Sequence, residues 1–183
     1  MIFGLFKRRG DPVADPLYAS IVAQARQPVF YLDFAVADTL DGRFDMIVLH
    51  LALVIARLKE GDEAARGAAR DVAETFFADM DRSLREMGIA DLKVPKKVRE
   101  MANAFYGRLT AYEEALATEG ADRLAEALNR NIYAGENHPC AAALAGYVRD
   151  SADRLAGLPA GEVARATALW LDPQPYSPQG EVS

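Results

Sequence analysis

The stretch from Phe44 to Lys59, FDMIVLHLALVIARLK, is apolar on nearly every side of a helix rather than along one stripe. Such a helix belongs at the centre of a bundle, so the chain has to supply neighbours with apolar faces. It does not read as a membrane span. The most apolar run, Met46 to Ala56, is about half of the roughly 20 residues that cross a bilayer, and His50 interrupts it. With no second His or Cys at i+3 or i+4, His50 reads as a hydrogen-bonded core histidine rather than a metal ligand.

The neighbours are amphipathic. From Asp71 to Tyr112 the sequence predicts two helices around an elbow at Gly88 to Pro95. Val72, Phe76, Met80, Leu84 and Met87 line the inner side of the first, and Val98, Met101, Phe105, Leu109, Tyr112 and Leu116 that of the second. Asp62 is placed to cap the first of them. Upstream, Asp15 or Asp11 can cap a helix from Pro16 to Gln27, with Leu17, Ile21, Val22 and Ala25 inward and Pro28 as its stop. Val29 to Val36 is apolar but has no strand partner, and reads as an irregular or one-turn filler. In DTLDGRFD the carboxylates lack EF-hand spacing, so Asp38 or Asp41 is expected to cap the central helix, with Gly42 in a tight turn and Asp45 in the first turn. Leu124 to Ile132 and Leu144 to Leu155 give two more helices, and Val163 to Trp170 a last short one. The expected fold is all-α: a single-domain helical bundle of about six to seven helices. Residues 1–14 form an apolar-basic N-terminal segment, 15–170 the domain, and 171–183, with three prolines, a disordered tail.

Composition narrows the function. A net charge of −6 argues against a dedicated nucleic-acid binder, and no DNA partner is expected. One cysteine, Cys140, excludes an intramolecular disulfide, and its nearness to His138 along a turn does not make a catalytic pair. There is no GxxxxGK[ST], GxGxxG after a strand, HExxH, GxSxG or CxxC. No catalytic residue, metal ligand or cofactor is therefore assigned; patterned outer helix faces point to a binding protein, not an enzyme.

Three surfaces are candidates. Asp79, Arg82, Ser83 and Glu86 share one outer face, with Asp79–Arg82 or Arg82–Glu86 pairing; Asp79 and Asp81, two apart, cannot converge on one atom. Lys93, Lys96, Lys97, Arg99 and Arg108 face a single acid, Glu100, while Tyr106 points off the inner stripe. Gly107 costs its helix about 1 kcal/mol relative to alanine, which suggests close approach of a backbone, a ligand or a bundle neighbour. At the N-terminus, Phe3, Leu5 and Phe6 precede Lys7, Arg8 and Arg9, a combination suited to an anionic membrane surface. With no secretory or mitochondrial leader pattern, the expected location is cytoplasmic, peripheral at the cytoplasmic face of the inner membrane.

TLDGRFDMIVLHLALVIARL and AETFFADMDRSLREMGIADLKVPKKVREMANAFYGRLTAY together resemble the ubiquinol–cytochrome c chaperone family over roughly Pro28 to Leu155. The distinctive pieces are Asp41-Gly-Arg-Phe, the run from Phe77 to Gly88, Val94-Pro-Lys-Lys and Ala104-Phe-Tyr-Gly-Arg. The resemblance implies an all-helical assembly chaperone for cytochrome b of respiratory complex III. It also implies a small partner protein, a ribosome contact near the tunnel exit, and no cofactor, since the haem belongs to the client. The competing readings are a general membrane-associated adaptor and a small-ligand or lipid binder.

Overall fold

The computed structural model describes residues 15–118, 120 and 122–178; the N-terminal residues Phe3 to Arg9 lie outside them. Eight helices follow one another among the described residues, without a strand. They are α1 (Pro16–Ala25), α2 (Pro28–Leu32), α3 (Leu40–Lys59), α4 (Glu63–Glu86), α5 (Val94–Ala117), α6 (Asp122–Asn131), α7 (Cys140–Gly157) and α8 (Ala160–Ala164). A 3-10 turn, Gln174–Tyr176, comes after them. No described helix is long and apolar enough to cross a membrane.

The all-round apolar stretch is α3, and it occupies the middle. Helices α1, α4, α5, α7 and α8 pack against it, and from Phe44 to Ile55 every one of its residues is buried. Helices α4 and α5 form the hairpin expected from the stripes: Val72, Phe76, Met80, Leu84, Phe105, Leu109 and Tyr112 are all buried. Asp15 caps α1 by accepting from the Leu17 and Tyr18 amides, and Asp62 caps α4 by accepting from the Ala65 amide.

At the start of α3 the cap is Thr39, whose hydroxyl accepts from the Gly42 amide, not Asp38 or Asp41. Asp38 is drawn away by Arg43 at 2.7 Å, and Asp41 stays in the first turn, where its charge suits the dipole. A Cβ on Gly42 would fall 2.0 Å from the Ala37 carbonyl oxygen, so the turn admits only glycine. Val29 to Val36 forms the single turn α2, then a bend through Ala35 (φ 55°), burying Phe30, Phe34 and Val36.

His50 has the core role assigned to it. It is fully buried; Nδ1 donates to the Met46 carbonyl at 2.8 Å, so Nε2 is left to accept from the Tyr147 hydroxyl at 2.9 Å. Tyr147 in turn accepts from Gln24 Nε2. Burial lowers the His50 pKa to about 4, so the ring is neutral near pH 7. This relay joins α1, α3 and α7 through polar atoms that have no access to water.

The expectation of disorder after Leu171 is corrected for residues 171–178. The Leu171 carbonyl accepts from Gln24, and the Tyr176 ring packs edge-on against Tyr147. Gln174 and Ser177 both donate to the Asp33 carboxylate. The prolines shape a turn that covers one end of the polar relay instead of dissolving the chain.

Tyr147→Phe removes the hydroxyl that donates to His50 Nε2, leaving that buried nitrogen unmatched, while Gln24 keeps the Leu171 carbonyl as its acceptor. It should lower stability by about 2–3 kcal/mol, read as a fall in the urea midpoint with an unchanged slope.

Candidate functional site

Between the N-terminus of α3, the second half of α4 and the first half of α5 lies an open groove of about 260 Å³. Met80, Met87 and Met101 line it, three of the chain's five methionines, together with Leu40, Phe44, Ile47 and Leu84. Leu40 and Met87 are half exposed at its rim. Asp79 and Ser83 from the candidate outer face of α4 lie on its wall, as do Arg26, Asp38 and Arg43. Unbranched methionine side chains adjust their shape at little cost, and a surface built from them accepts varied apolar partners.

The Asp79 face is only partly free. Asp79 accepts from the Tyr18 hydroxyl at 2.8 Å and from Arg82 at 3.0 Å, so it ties α1 to α4 as well as edging the groove. Burial and then the Asp79 carboxylate push the Tyr18 hydroxyl pKa well up, which keeps it a donor. Arg82 lies 4.0 Å from Glu86, whose side chain is exposed. Asp81 belongs elsewhere: it pairs with Arg85 at 2.7 Å.

The basic face divides in two. Lys96 and Lys97 are exposed at the elbow, beside Lys93. Arg108 is not part of that patch. Its guanidinium is turned inward, 2.7 Å from Asp45 on α3 and 5.5 Å above the Phe44 ring. The reason is register: Arg108 lies three residues after Phe105 and one before Leu109, and the only acid it reaches lies on α3. Asp45 is correspondingly buried, and burial raises its carboxyl pKa to about 7 despite the opposing pull of Arg108.

Tyr106 points outward as expected, 59% exposed, its ring edge-on to Phe105 and tilted against Phe77. It borders a second concavity, of about 390 Å³, with Arg66, Arg70, Lys59 and Glu113. Gly107 differs from expectation. A Cβ there would meet nothing within 4 Å, so among the described residues no neighbour requires the glycine.

Cys140 and His138 are not arranged as a nucleophile and its base. Burial raises the Cys140 thiol pKa, which opposes thiolate formation, and the sulfur faces the Asp33 carbonyl. His138 Nδ1 accepts from the Cys140 backbone amide, and its ring stacks on Tyr133. No group of three or more potential metal ligands exists among the described residues.

The groove was missed in the sequence because its walls are brought together by three helices. Met80, Met87 and Met101 looked like ordinary members of inner stripes. The one available signal was that both stripes continue past the buried positions into the elbow.

The fold is thus an all-helical bundle with a methionine-lined groove among three of its helices. The profile of the family described as ubiquinol-cytochrome C chaperone matches residues 32–170. The chain belongs to that family. It is 26% identical over 117 residues to ubiquinol-cytochrome-c reductase complex assembly factor 1 of Xenopus laevis, covering 63% of this chain and 58% of that protein. It is also 26% identical to its Homo sapiens counterpart, covering 64% of this chain and 39% of that one. The chain thus spans between about two fifths and three fifths of these curated relatives. The crystal structure of the Cbp3 homolog from Brucella abortus superposes with a TM-score of 0.79 at 39% identity, covering 94% of this chain and 98% of that one.

Two outcomes are expected. Gly107→Ala should stabilise the protein by up to about 1 kcal/mol, a rise in melting temperature of roughly 2–4 °C for a chain of this size. Titration of Asp45 and His50 should act in opposite directions. With a folded pKa above its unfolded value, Asp45 makes the native state hold the extra proton, so stability falls as pH rises from about 4 to 7. With a folded pKa below its unfolded value, His50 makes the unfolded state hold it, so stability rises from about pH 4 to 6.5. Each contributes a slope of up to about 1.4 kcal/mol per pH unit, and over the shared window they offset one another. Asp45→Asn also strips Arg108 of its partner, which shifts the whole curve, but its slope isolates His50. Urea midpoints between pH 4.5 and 6.5 should be nearly flat for the parent and climb with pH for Asp45→Asn. Parallel profiles would show that Asp45 is already ionised throughout.

Proposed function

We propose that this chain is an assembly chaperone for cytochrome b of respiratory complex III, and that it holds an apolar helical segment of the newly made client in the α3–α4–α5 groove. The observation that carries this reading is the methionine-lined groove, open to solvent in a chain of the ubiquinol-cytochrome C chaperone family. A client that is apolar along its length needs a surface that tolerates sequence differences and releases its guest, and methionine supplies both. On the polar wall, Arg43 is held by Asp38 and Asp79 by Tyr18 and Arg82, so Ser83 and Arg26 are the groups offered to the guest's exposed edge. The second concavity, beside Tyr106, is left for a partner protein, and the work is done peripherally at the cytoplasmic face of the membrane. Binding and release, without a covalent step, are sufficient.

Leu40→Asp with Met87→Gln alters only half-exposed rim side chains. The double variant should keep the parent's melting temperature within about 3 °C, corresponding to roughly 1 kcal/mol. Recovery of cytochrome b by affinity-tagged protein should fall about tenfold, corresponding to about 1.4 kcal/mol. Unchanged recovery would place the client elsewhere. Normal levels of assembled cytochrome b after deletion of the gene would remove the client assignment itself.

A further inference from the structure

The elbow between α4 and α5 carries a surface that neither the core nor the groove accounts for. Leu92 is 96% exposed at its tip, the most exposed of the large apolar side chains among the described residues. The backbone around it is held firmly. Gly88, at φ 78°, closes α4, with its amide donating to the Arg85 carbonyl and the Ile89 amide to Leu84. The Lys93 amide donates to Ala90 at 2.7 Å, and Arg85 clasps Asp91 at 2.7 Å. Leu92 is therefore presented to solvent by a defined turn.

Beside it, Lys93, Lys96 and Lys97 open onto a shallow concavity whose other wall is Gly88 to Ala90. Their acidic surroundings are thin. Asp91 is engaged by Arg85, and Glu100 reaches only Lys97, at 3.8 Å. Helix α5 starts with no side-chain cap and no acid in its first turn, so these cations repel one another at the positive end of the helix dipole. In a chain of net charge −6, this is a local concentration of positive charge that an external anionic surface would relieve.

We propose that the α4–α5 elbow is a membrane-docking element, in which Leu92 enters the boundary between headgroups and acyl chains of an anionic bilayer while Lys93, Lys96 and Lys97 contact its phosphates. The chemistry favours lipid over RNA. Residues 85–100 contain no aromatic side chain for base stacking, and the cations that open onto the concavity are flexible, strongly hydrated lysines beside an apolar tip. This inference does not rest on the client assignment, since vesicle binding needs no client.

The test is co-sedimentation of the full chain with sucrose-loaded vesicles of phosphatidylcholine alone or of phosphatidylcholine mixed with phosphatidylglycerol, which supplies the anionic surface. Binding is expected only to the anionic vesicles and should weaken with salt. Lys96→Gln with Lys97→Gln should weaken it about 25-fold, roughly fivefold per lysine. Leu92→Ser should weaken it about tenfold with the same relative salt dependence, and the melting temperature should stay unchanged because the side chain is solvated. Absence of binding, equal binding to neutral vesicles, or full binding by the Leu92→Ser and double lysine variants would each overturn the proposal. So would a single-stranded RNA that the parent binds and that blocks vesicle binding with no effect of Leu92→Ser on either.

Discussion

Enclosure of α3 is the constraint on which everything else depends. A twenty-residue helix with a fully buried stretch from Phe44 to Ile55 has no side that can face water. Polar side-chain atoms that its own backbone does not satisfy therefore need partners from other helices. His50 finds one on α7 and Asp45 one on α5, and both partners come from distant positions in the chain, 97 residues away for Tyr147. These two polar contacts fix the rotation of α3 about its axis, which apolar packing alone would leave loosely specified. A buried ion pair is weak evidence for stability, because desolvation offsets much of the attraction. Its contribution here is better described as register: Arg108 can meet Asp45 in only one alignment of α5 on α3.

That alignment has a consequence for the surface. With Arg108 turned inward, the first half of α5 is rotated so that Met101 faces α4 and the entry to α3, while the lysines of its first turns stay outside. The groove and the elbow are therefore adjacent ends of one hairpin, shaped by the same helix rotation. Leu84 and Val94 are buried at the elbow but stand apart from the main core, so the far end of the hairpin is supported by its own small contact. A hairpin supported in this way can present a surface at its tip without relaxing the bundle.

The sequence carried the architecture plainly and the site only in fragments. Periodicity placed the buried faces of α4 and α5 because i, i+3 and i+4 spacing is a local property. It could not place Arg108, since a charged side chain reads as exposed unless its partner is known, and that partner is 63 residues away. Capping at α3 failed for a smaller reason: Arg43 holds Asp38, and the neighbouring Thr39, which is not among the expected candidates, takes the cap. The prolines after Leu171 suggested disorder by composition, whereas the deciding interactions come from Asp33 and Tyr147, far upstream. The groove needed three helices to exist at all.

Charge explains why the two exposed features do different things. At the groove, Asp38 and Arg43 are satisfied by each other and Asp79 by Tyr18 and Arg82, so what remains unmatched is apolar surface. An apolar guest gains there mainly from leaving water, with little dependence on salt. At the elbow the balance is reversed: one apolar side chain stands beside three lysines, with the nearest acids already drawn toward Arg85 and Lys97. Binding there depends on counter-charge and is screened over about 8 Å in physiological salt. In the proposed reading one end of the hairpin holds an apolar segment while the other rests on an anionic surface, and either contact can be broken without disturbing the other.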